Sequence, residues 1–344
     1  MCIIITRNTR KKYAILIIMN YWQEKVIIGT RAYPRFIGGP LDGYTDSPFR
    51  QLVREFSPHN LLYTQMRHVS SIAHARAVVR ELQFDQCERP LNFQIATNTV
   101  TGIARAVERI LATVVDGIDL NIACPAKNVV KSKSGSAIMA DLKLLEQILR
   151  ALRAASTVPV TVKMRAGFKE KNALAVAQLV QDCGIDALAI HPRLQTQKFG
   201  GAPDYALVRS IKNELSIPVL YSGGINTFVD AQSVHEQTGT DGFLIGRGMC
   251  GAPWKLAELE AHARGDDYLI TSELRAQTAK KHLALLCDYY GTHGLYQFRK
   301  HIPFYIAACA GASDARKKLL VLQAVEQVIE TLNEFFGVAG GKKA

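Results

Sequence analysis

A cysteine at the end of a predicted strand is the residue best suited to chemistry in this chain. The apolar segment 118–122 predicts a short strand, and Cys124 follows it, ahead of a proline and the basic, serine- and glycine-rich stretch 131–137. A cysteine between a strand and a flexible basic loop is expected to be exposed, and an exposed thiol can donate a proton. The alternative is a small cysteine packed in the core, which is the commoner fate of a free cysteine.

Seven further apolar runs with strand character surround this segment, at 35–41, 61–65, 91–95, 160–164, 187–191, 218–221 and 242–245. Segments with helical periodicity lie between them, and such alternation predicts parallel strands joined by crossover helices. Eight such units predict an α/β fold of the (β/α)8 TIM-barrel type, with a doubly wound open sheet as the alternative.

Polar and glycine-rich residues come directly after most of these strands. The carboxyl ends of barrel strands form one face, where this fold builds its sites, so we expect these residues to meet there. They are Asp42, Asn121, Cys124, Lys163, His191, Arg193, Ser222, Gly223, Gly224, Gly246 and Arg247. The two glycine-rich segments follow the last two strands, where barrels commonly bind phosphate through backbone N–H groups.

The strand–helix alternation ends near residue 265, and the pattern predicts three parts. Residues 1–30 are interpreted as an N-terminal extension, 31–265 as the barrel and 266–344 as a small all-helical domain. The basic and apolar start of the chain is similar to a signal peptide, but its apolar run is short and no small-residue cleavage site follows. It is also too short to span a membrane.

The charge balance fits a polyanionic partner and, equally, a protein that is merely basic. The chain has 42 basic and 30 acidic residues, a net charge of +12. In the predicted helical domain, Arg299 and Lys300 lie among aromatic residues, which is typical of a nucleic-acid surface or, alternatively, of a solvated helix face over an aromatic core. The seven cysteines are odd in number and lack metal-ligand spacing, so they indicate free thiols in a reducing compartment and no metal site.

These motifs together resemble the tRNA-dihydrouridine synthase family over roughly residues 35–335. The resemblance is carried by the segments 39–50, 94–95, 119–125, 135–139, 159–165, 191–193, 246–247 and 294–301. It implies a barrel that binds FMN tightly, NADPH as the reductant, and reduction of the C5=C6 bond of a uridine in tRNA. It further implies a monomeric, cytoplasmic enzyme that uses no metal and no membrane.

The resemblance also implies roles for single residues. Cys124 would be the proton donor to C5 of the uracil. The cofactor would be bound by Pro40, Leu41, Asp42, Gln94, Lys163, His191, Ser222, Gly223, Gly224, Gly246 and Arg247. The tRNA would be bound by Asn121, Arg193, Phe199, Arg299 and Lys300. The chain departs from the usual family pattern at Gln65, Ala123, Pro192 and Ser222, where the family more often has Glu, Gly, Gly and Asn. Ala123 and Pro192 can replace glycine if the local φ is negative.

Two other functions fit parts of the sequence. One is a flavin-dependent barrel oxidoreductase that acts on a small pyrimidine-like substrate, against which the basic C-terminal segment argues. The other is a non-catalytic tRNA-binding protein with the same fold, against which Cys124, Asn121 and Lys163 argue.

Overall fold

The strands form a closed parallel barrel in a computed structural model that describes residues 21–75 and 80–338. The strands are β1 Val26–Ile28, β2 Arg31–Tyr33, β3 Phe36–Gly38, β4 Leu62–Tyr63, β5 Arg67–His68, β6 Leu91–Ala96, β7 Gly117–Ile122, β8 Val160–Gly167, β9 Ala187–Leu194, β10 Val219–Ser222 and β11 Gly242–Ile245. From β6 to β11 each strand pairs with the next, and β11–β3, β3–β4 and β4–β6 complete the circle. The TIM-barrel prediction is therefore confirmed, and closure excludes the open sheet.

Helices follow the strands on the outside of the barrel and then continue alone. They are α1 Ser47–Phe56, α2 Val69–Ala73, α3 Ile103–Leu111, α4 Lys127–Lys131, α5 Leu142–Ala155, α6 Ala173–Asp182, α7 Tyr205–Glu214, α8 Phe228–Thr238, α9 Lys255–Arg264, α10 Ser272–Tyr290, α11 Gly294–Arg299, α12 Ile302–Tyr305, α13 Ala312–Val321 and α14 Val325–Phe336. No helix in the described part of the chain is long and apolar enough to cross a membrane.

The hairpin β1–β2 belongs to the barrel rather than to an extension. Val26 and Ile28 alternate inward, are almost fully buried, and form one cluster with interior residues of the barrel strands, including Ile37 and Ala187. Because alternate side chains of a strand point to the same side, the apolar side chains that this hairpin buries hold it against the barrel. The predicted extension therefore overlaps the packed structure over residues 21–30, and its residues 1–20 lie outside the described residues.

The C-terminal helices have their own apolar core and also pack against the barrel. Phe298, Tyr305 and Leu283 lie at the centre of this separate cluster. Asp46 caps the first turn of α1 by accepting the N–H of Phe49, and it also accepts a hydrogen bond of 3.0 Å from the hydroxyl of Tyr290 in α10. The helical part is thereby fixed to the loop that follows β3, one of the loops of the active face.

Two buried histidines at this junction should make the C-terminal helices sensitive to acid. Burial lowers the pKa of His282 to about 3 and that of His301 well below its usual range, so both rings are neutral in the fold. An unfolded histidine protonates near pH ~6.5. The free energy of unfolding therefore keeps its full value above that pH. Below it, the free energy of unfolding falls by about 1.4 kcal/mol per pH unit for each ring, because the unfolded chain takes up protons.

Denaturant unfolding at a series of pH values between neutrality and the onset of acid unfolding measures this dependence. We expect His282→Leu to flatten the loss of stability with acid, whereas His293→Leu, at an exposed histidine, leaves it unchanged. Equal slopes for the wild type and His282→Leu would contradict the assignment.

Candidate active site

Two adjoining cavities open at the carboxyl ends of the barrel strands. One of about 410 Å3 lies over the ends of β10 and β11, and one of about 240 Å3 lies over the ends of β6, β7 and β8. Both are lined by Pro40, Leu41, Lys163, His191 and Phe199. These five residues therefore form the junction of one elongated site.

Beyond that junction, the lining of the larger cavity includes glycine backbone and one arginine. Gly223 and Gly224 have φ of +123° and +70°, and a Cβ at Gly224 or Gly246 would project into open space. The N–H groups of Gly223 and Gly224 donate to no other group among residues 21–75 and 80–338. Arg247 lines the same cavity and, in that part of the chain, pairs with no carboxylate. Free N–H groups beside an arginine suit a phosphate.

Lys163 lies at the centre of the site on β8. Its Nζ has no hydrogen-bond partner among the described residues, although the side chain is at most partly exposed. Burial and the neighbouring Arg165 lower the pKa of Lys163 to about 8, while Asp119 opposes the shift. The ammonium group is therefore largely protonated at neutral pH and available to stabilise negative charge in the cavity.

The imidazole of His191 is held neutral and in one tautomer. Burial and the cations around it, first Lys163 and Arg165, lower its pKa to about 2. Arg193 Nη1 lies 3.0 Å from His191 Nε2. Because a guanidinium only donates, Nε2 accepts and the ring proton lies on Nδ1. His191 therefore presents a hydrogen-bond donor, and Arg193, which also donates to the carbonyl of Gly201, orients it.

A chain of buried amides fixes the backbone at Cys124. Asp119, at the centre of β7, accepts hydrogen bonds from Gln94 Nε2 at 2.7 Å and from the hydroxyl of Thr161 at 2.6 Å. The amide of Gln94 is thereby oriented, and its Oε1 accepts from Asn121 Nδ2 at 2.9 Å. Asn121 Oδ1 in turn accepts the backbone N–H groups of Ala123 and Cys124. The hydrogen bonds that Asp119 accepts thus help to fix how the loop leaves β7.

Cys124 lies in the smaller cavity and is partly exposed. Burial raises the pKa of its thiol above the ordinary value, although the N–H of Ala126 and the cation of Lys163 oppose this shift. Its carbonyl accepts from both the N–H and the hydroxyl of Ser136, and Gly135, with φ of +58°, passes so close that an added Cβ would lie 3.1 Å from Cys124 Cβ. The side chain is therefore a protonated thiol on a fixed backbone.

Two residues of this site were missed as functional positions in the sequence. Arg165 is buried, donates to the carbonyls of Ala123, Leu194 and Lys198, and so holds the Cys124 loop and the Phe199 loop together. Asp119 is the second. Both lie two positions from a predicted site residue on the same strand, and the period of two in a strand places such pairs on one face.

Several predicted residues lie at the rim or outside the cavities. Asp42 lines the smaller cavity but is mostly exposed and lies 3.5 Å from Arg67. Phe199 is 52% exposed above the guanidinium of Arg247. Arg299 donates to the carbonyl of Leu322 and to Gln323, so it stabilises the end of α13 and does not enter the cavities.

Lys300 and the four residues that depart from the family pattern also lie at or near the active face. Lys300 is half-buried beside the ring of Tyr44, at the edge of the active face. Ala123 and Pro192 both have a negative φ, so neither needs glycine, and Ser222 lines the larger cavity. Gln65 is buried beneath the junction with α10.

The dihydrouridine synthase (Dus) family model matches residues 37–338. Among curated proteins, the chain is 31% identical to a probable tRNA-dihydrouridine synthase 1 of Synechocystis sp., covering 92% of this chain and 91% of that protein. It is 34% identical to tRNA-dihydrouridine synthase B of Pseudomonas aeruginosa, covering 90% and 96%. An old yellow enzyme homologue from Zymomonas mobilis shares the fold, with a TM-score of 0.51 at 12% identity over 67% of this chain and 90% of that one. The chain thus belongs to the dihydrouridine synthase family.

Proposed function

We propose that this protein reduces the C5=C6 bond of a uridine in tRNA, using FMN and NADPH, with Cys124 as the proton donor. The observation that carries the proposal is a protonated thiol in one cavity with a lysine that has no hydrogen-bond partner among the described residues, beside a second cavity that presents glycine N–H groups and an arginine. Reduction of an activated double bond needs a bound hydride carrier and an acid, and a cation stabilises the negative charge that develops. Family membership supports uridine in tRNA as the substrate.

The residues present fit FMN. Its phosphate would be held by the free N–H groups of Gly223 and Gly224 and by Arg247, where side chains are absent. Its ring would lie along Pro40 and Leu41, which line both cavities. Lys163 and the Nδ1–H of His191 would then face the polar edge of the ring, where a cation and a donor stabilise added negative charge.

The protein's own contribution to the reaction is the transfer and placement of a proton. When bound and reduced by NADPH, FMN would supply a hydride to C6 of the uracil. The C5=C6 π electrons then form a bond from C5 to the proton of Cys124 Sγ, which leaves a thiolate that solvent reprotonates. Because burial keeps Cys124 in the thiol form, the acid is present at neutral pH. The free N–H of Asn121 Nδ2 would bind a uracil carbonyl and align C5 with the thiol.

A uridine can reach this cavity only if it leaves the tRNA stack. Phe199, exposed at the rim over a guanidinium, offers a face on which a neighbouring base would stack. Lys300 lies at the rim from the side of the helical domain and would contact the tRNA backbone. Arg193, which orients His191, would reach the tRNA only through its remaining donors.

NADPH oxidation by the FMN-loaded protein tests the substrate class. We expect unmodified tRNA to accelerate steady-state oxidation and free uridine to leave it at the background rate. Acceleration by free uridine or a dihydropyrimidine-type compound, with no response to tRNA, would favour the small-substrate oxidoreductase instead. A protein that retains no flavin after incubation with FMN and gel filtration would contradict the cofactor assignment.

Gly223→Ala should weaken FMN retention. The added Cβ would lie 2.8 Å from His191 Cδ2, at a φ of +123° that alanine rarely adopts, so both the ring of His191 and the N–H cradle must shift. We expect the FMN dissociation constant, measured by quenching of flavin fluorescence, to rise at least about tenfold, which corresponds to ~1.4 kcal/mol. Gly265→Ala, also at positive φ but at the end of α9, is the matched control. Equal FMN affinity in the wild type and Gly223→Ala would contradict the phosphate site.

A further inference from the structure

A groove outside the two cavities lies beside Cys124. It has a volume of about 410 Å3 and is walled by three segments: 66–71 after β4, 96–98 after β6, and 128–134 in the loop that carries Cys124. Met66 lines both this groove and the smaller cavity, so the groove begins where that cavity opens. It lies on the side away from the glycine cradle and is separate from the proposed phosphate site of FMN.

The side chains of the groove are small hydroxyls and amides on an apolar floor. Asn98, Asn128, Ser71 and Ser132 supply polar groups to the lining, and Val129 is one of its apolar contributors. His68 is already satisfied, because its two ring nitrogens contact the hydroxyls of Ser70 and Ser134. This mixture suits a ribose and a base, because hydroxyls and amides can bind a sugar 2′-OH while the apolar floor contacts a base face.

The chain segments that form the walls of the groove carry charges of one sign. The stretches 64–75, 96–105 and 123–140, which contain its walls, hold two arginines and three lysines and not one aspartate or glutamate. The lysines, Lys127, Lys131 and Lys133, are exposed and take part in no salt bridge in the part of the chain that the structure describes. Three free lysines beside a groove without acidic residues are complementary to a chain of phosphates.

We propose that this groove binds the single strand of tRNA next to the target uridine, with Lys127, Lys131 and Lys133 on its phosphates. The inference rests on the proposed function. A base inserted at Cys124 remains attached to its neighbours, and the groove continues from that cavity through Met66. The lysines follow Cys124 in the short helix α4 and just after it, so binding of the strand and placement of the thiol are linked by only a few residues of backbone.

The test is the triple variant Lys127→Gln, Lys131→Gln, Lys133→Gln in the FMN-loaded protein. We expect its KM for unmodified tRNA to rise roughly tenfold or more at moderate salt, with kcat at saturating tRNA retained. The slope of log KM against log salt should fall by about 2, because each single-stranded phosphate contact contributes about 0.7. Bleaching of the bound flavin by NADPH, measured without tRNA, should be unchanged.

A matched control removes the same charge at the other end of the barrel. Lys25→Gln, Arg150→Gln, Lys212→Gln changes residues near the amino ends of the strands, and it should leave both KM and salt slope at wild-type values. An unchanged KM and slope in the groove variant would overturn the inference while leaving uridine reduction in place. Slower bleaching at limiting NADPH, with tRNA kinetics unchanged, would also overturn it, because the groove would then bind the phosphates of the reductant. If the wild type itself fails to reduce tRNA, the proposed function fails first.

Discussion

Cys124→Ala should abolish dihydrouridine formation while leaving the reductive half of the reaction intact. The thiol lies in the smaller cavity on the backbone that Asn121 holds, and loss of a positioned general acid costs on the order of 10²–10⁴-fold in rate. The backbone at this position is held by Asn121 and Ser136 through main-chain atoms, so alanine preserves the loop. We therefore expect wild-type FMN content and wild-type flavin bleaching by NADPH.

Cys87→Ala is the control for this variant, because Cys87 is an exposed cysteine far from the cavities. It should form dihydrouridine at the wild-type rate. Nucleoside analysis of unmodified tRNA incubated with each protein and NADPH measures the product. If Cys124→Ala produced dihydrouridine within a few-fold of the wild type, another group would have to be the proton donor.

Asp119→Ala should have the second largest effect, although Asp119 lies beneath the cavity floor. Its carboxylate fixes the orientation of Gln94, which fixes Asn121, which holds the N–H of Cys124. Without it, both amides can turn, and a misplacement of about 1 Å at the reacting group can cost about 10²-fold. We expect kcat for tRNA to fall roughly 10- to 100-fold with a much smaller change in KM, because the tRNA surface is untouched.

Asp119→Asn separates orientation from simple loss of stability. Its amide oxygen can still accept from Gln94 Nε2, provided that its NH2 group donates to Thr161 and the Thr161 hydroxyl turns toward Tyr63, 3.4 Å away. We expect this variant to regain most of the activity that alanine loses. FMN content and thermal midpoint are recorded for both. If Asp119→Ala retained wild-type kcat, or if Asn failed to restore activity in a folded protein, the proposed positioning chain would be wrong.

The barrel was predictable because its signals are local. Most of the apolar runs end at a polar or glycine-rich residue, and the structure brings these ends together as the repeat of strands and helices indicates. The first predicted barrel strand, 35–41, is shorter than expected, at Phe36–Gly38, because Pro40 cannot donate to a strand ladder. The cavity residues Lys163, His191 and Asn121 were accessible to the same local argument.

The roles that were not predicted depend on partners distant in sequence. Arg299 is predicted to contact tRNA, and nothing in the sequence indicates that its guanidinium also donates to the carbonyl of Leu322 at the end of α13. Val26 and Ile28 read as part of a terminal extension because the residues that bury them, such as Ala187, come much later in the chain. The function of Asp119 likewise follows from its contact with Gln94 on the neighbouring strand. Contacts of this kind are set by the tertiary structure and leave no pattern in a single segment.

The most direct test of the account is the mass of the nucleosides from an unmodified tRNA after a single exposure to the purified protein. The tRNA is incubated with FMN-loaded wild type and NADPH, digested, and compared with samples lacking NADPH or containing Cys124→Ala. We expect a uridine to be replaced by a nucleoside heavier by two hydrogens only in the complete wild-type reaction. Unchanged uridine in that reaction, from a protein that binds FMN and oxidises NADPH, would contradict the central claim.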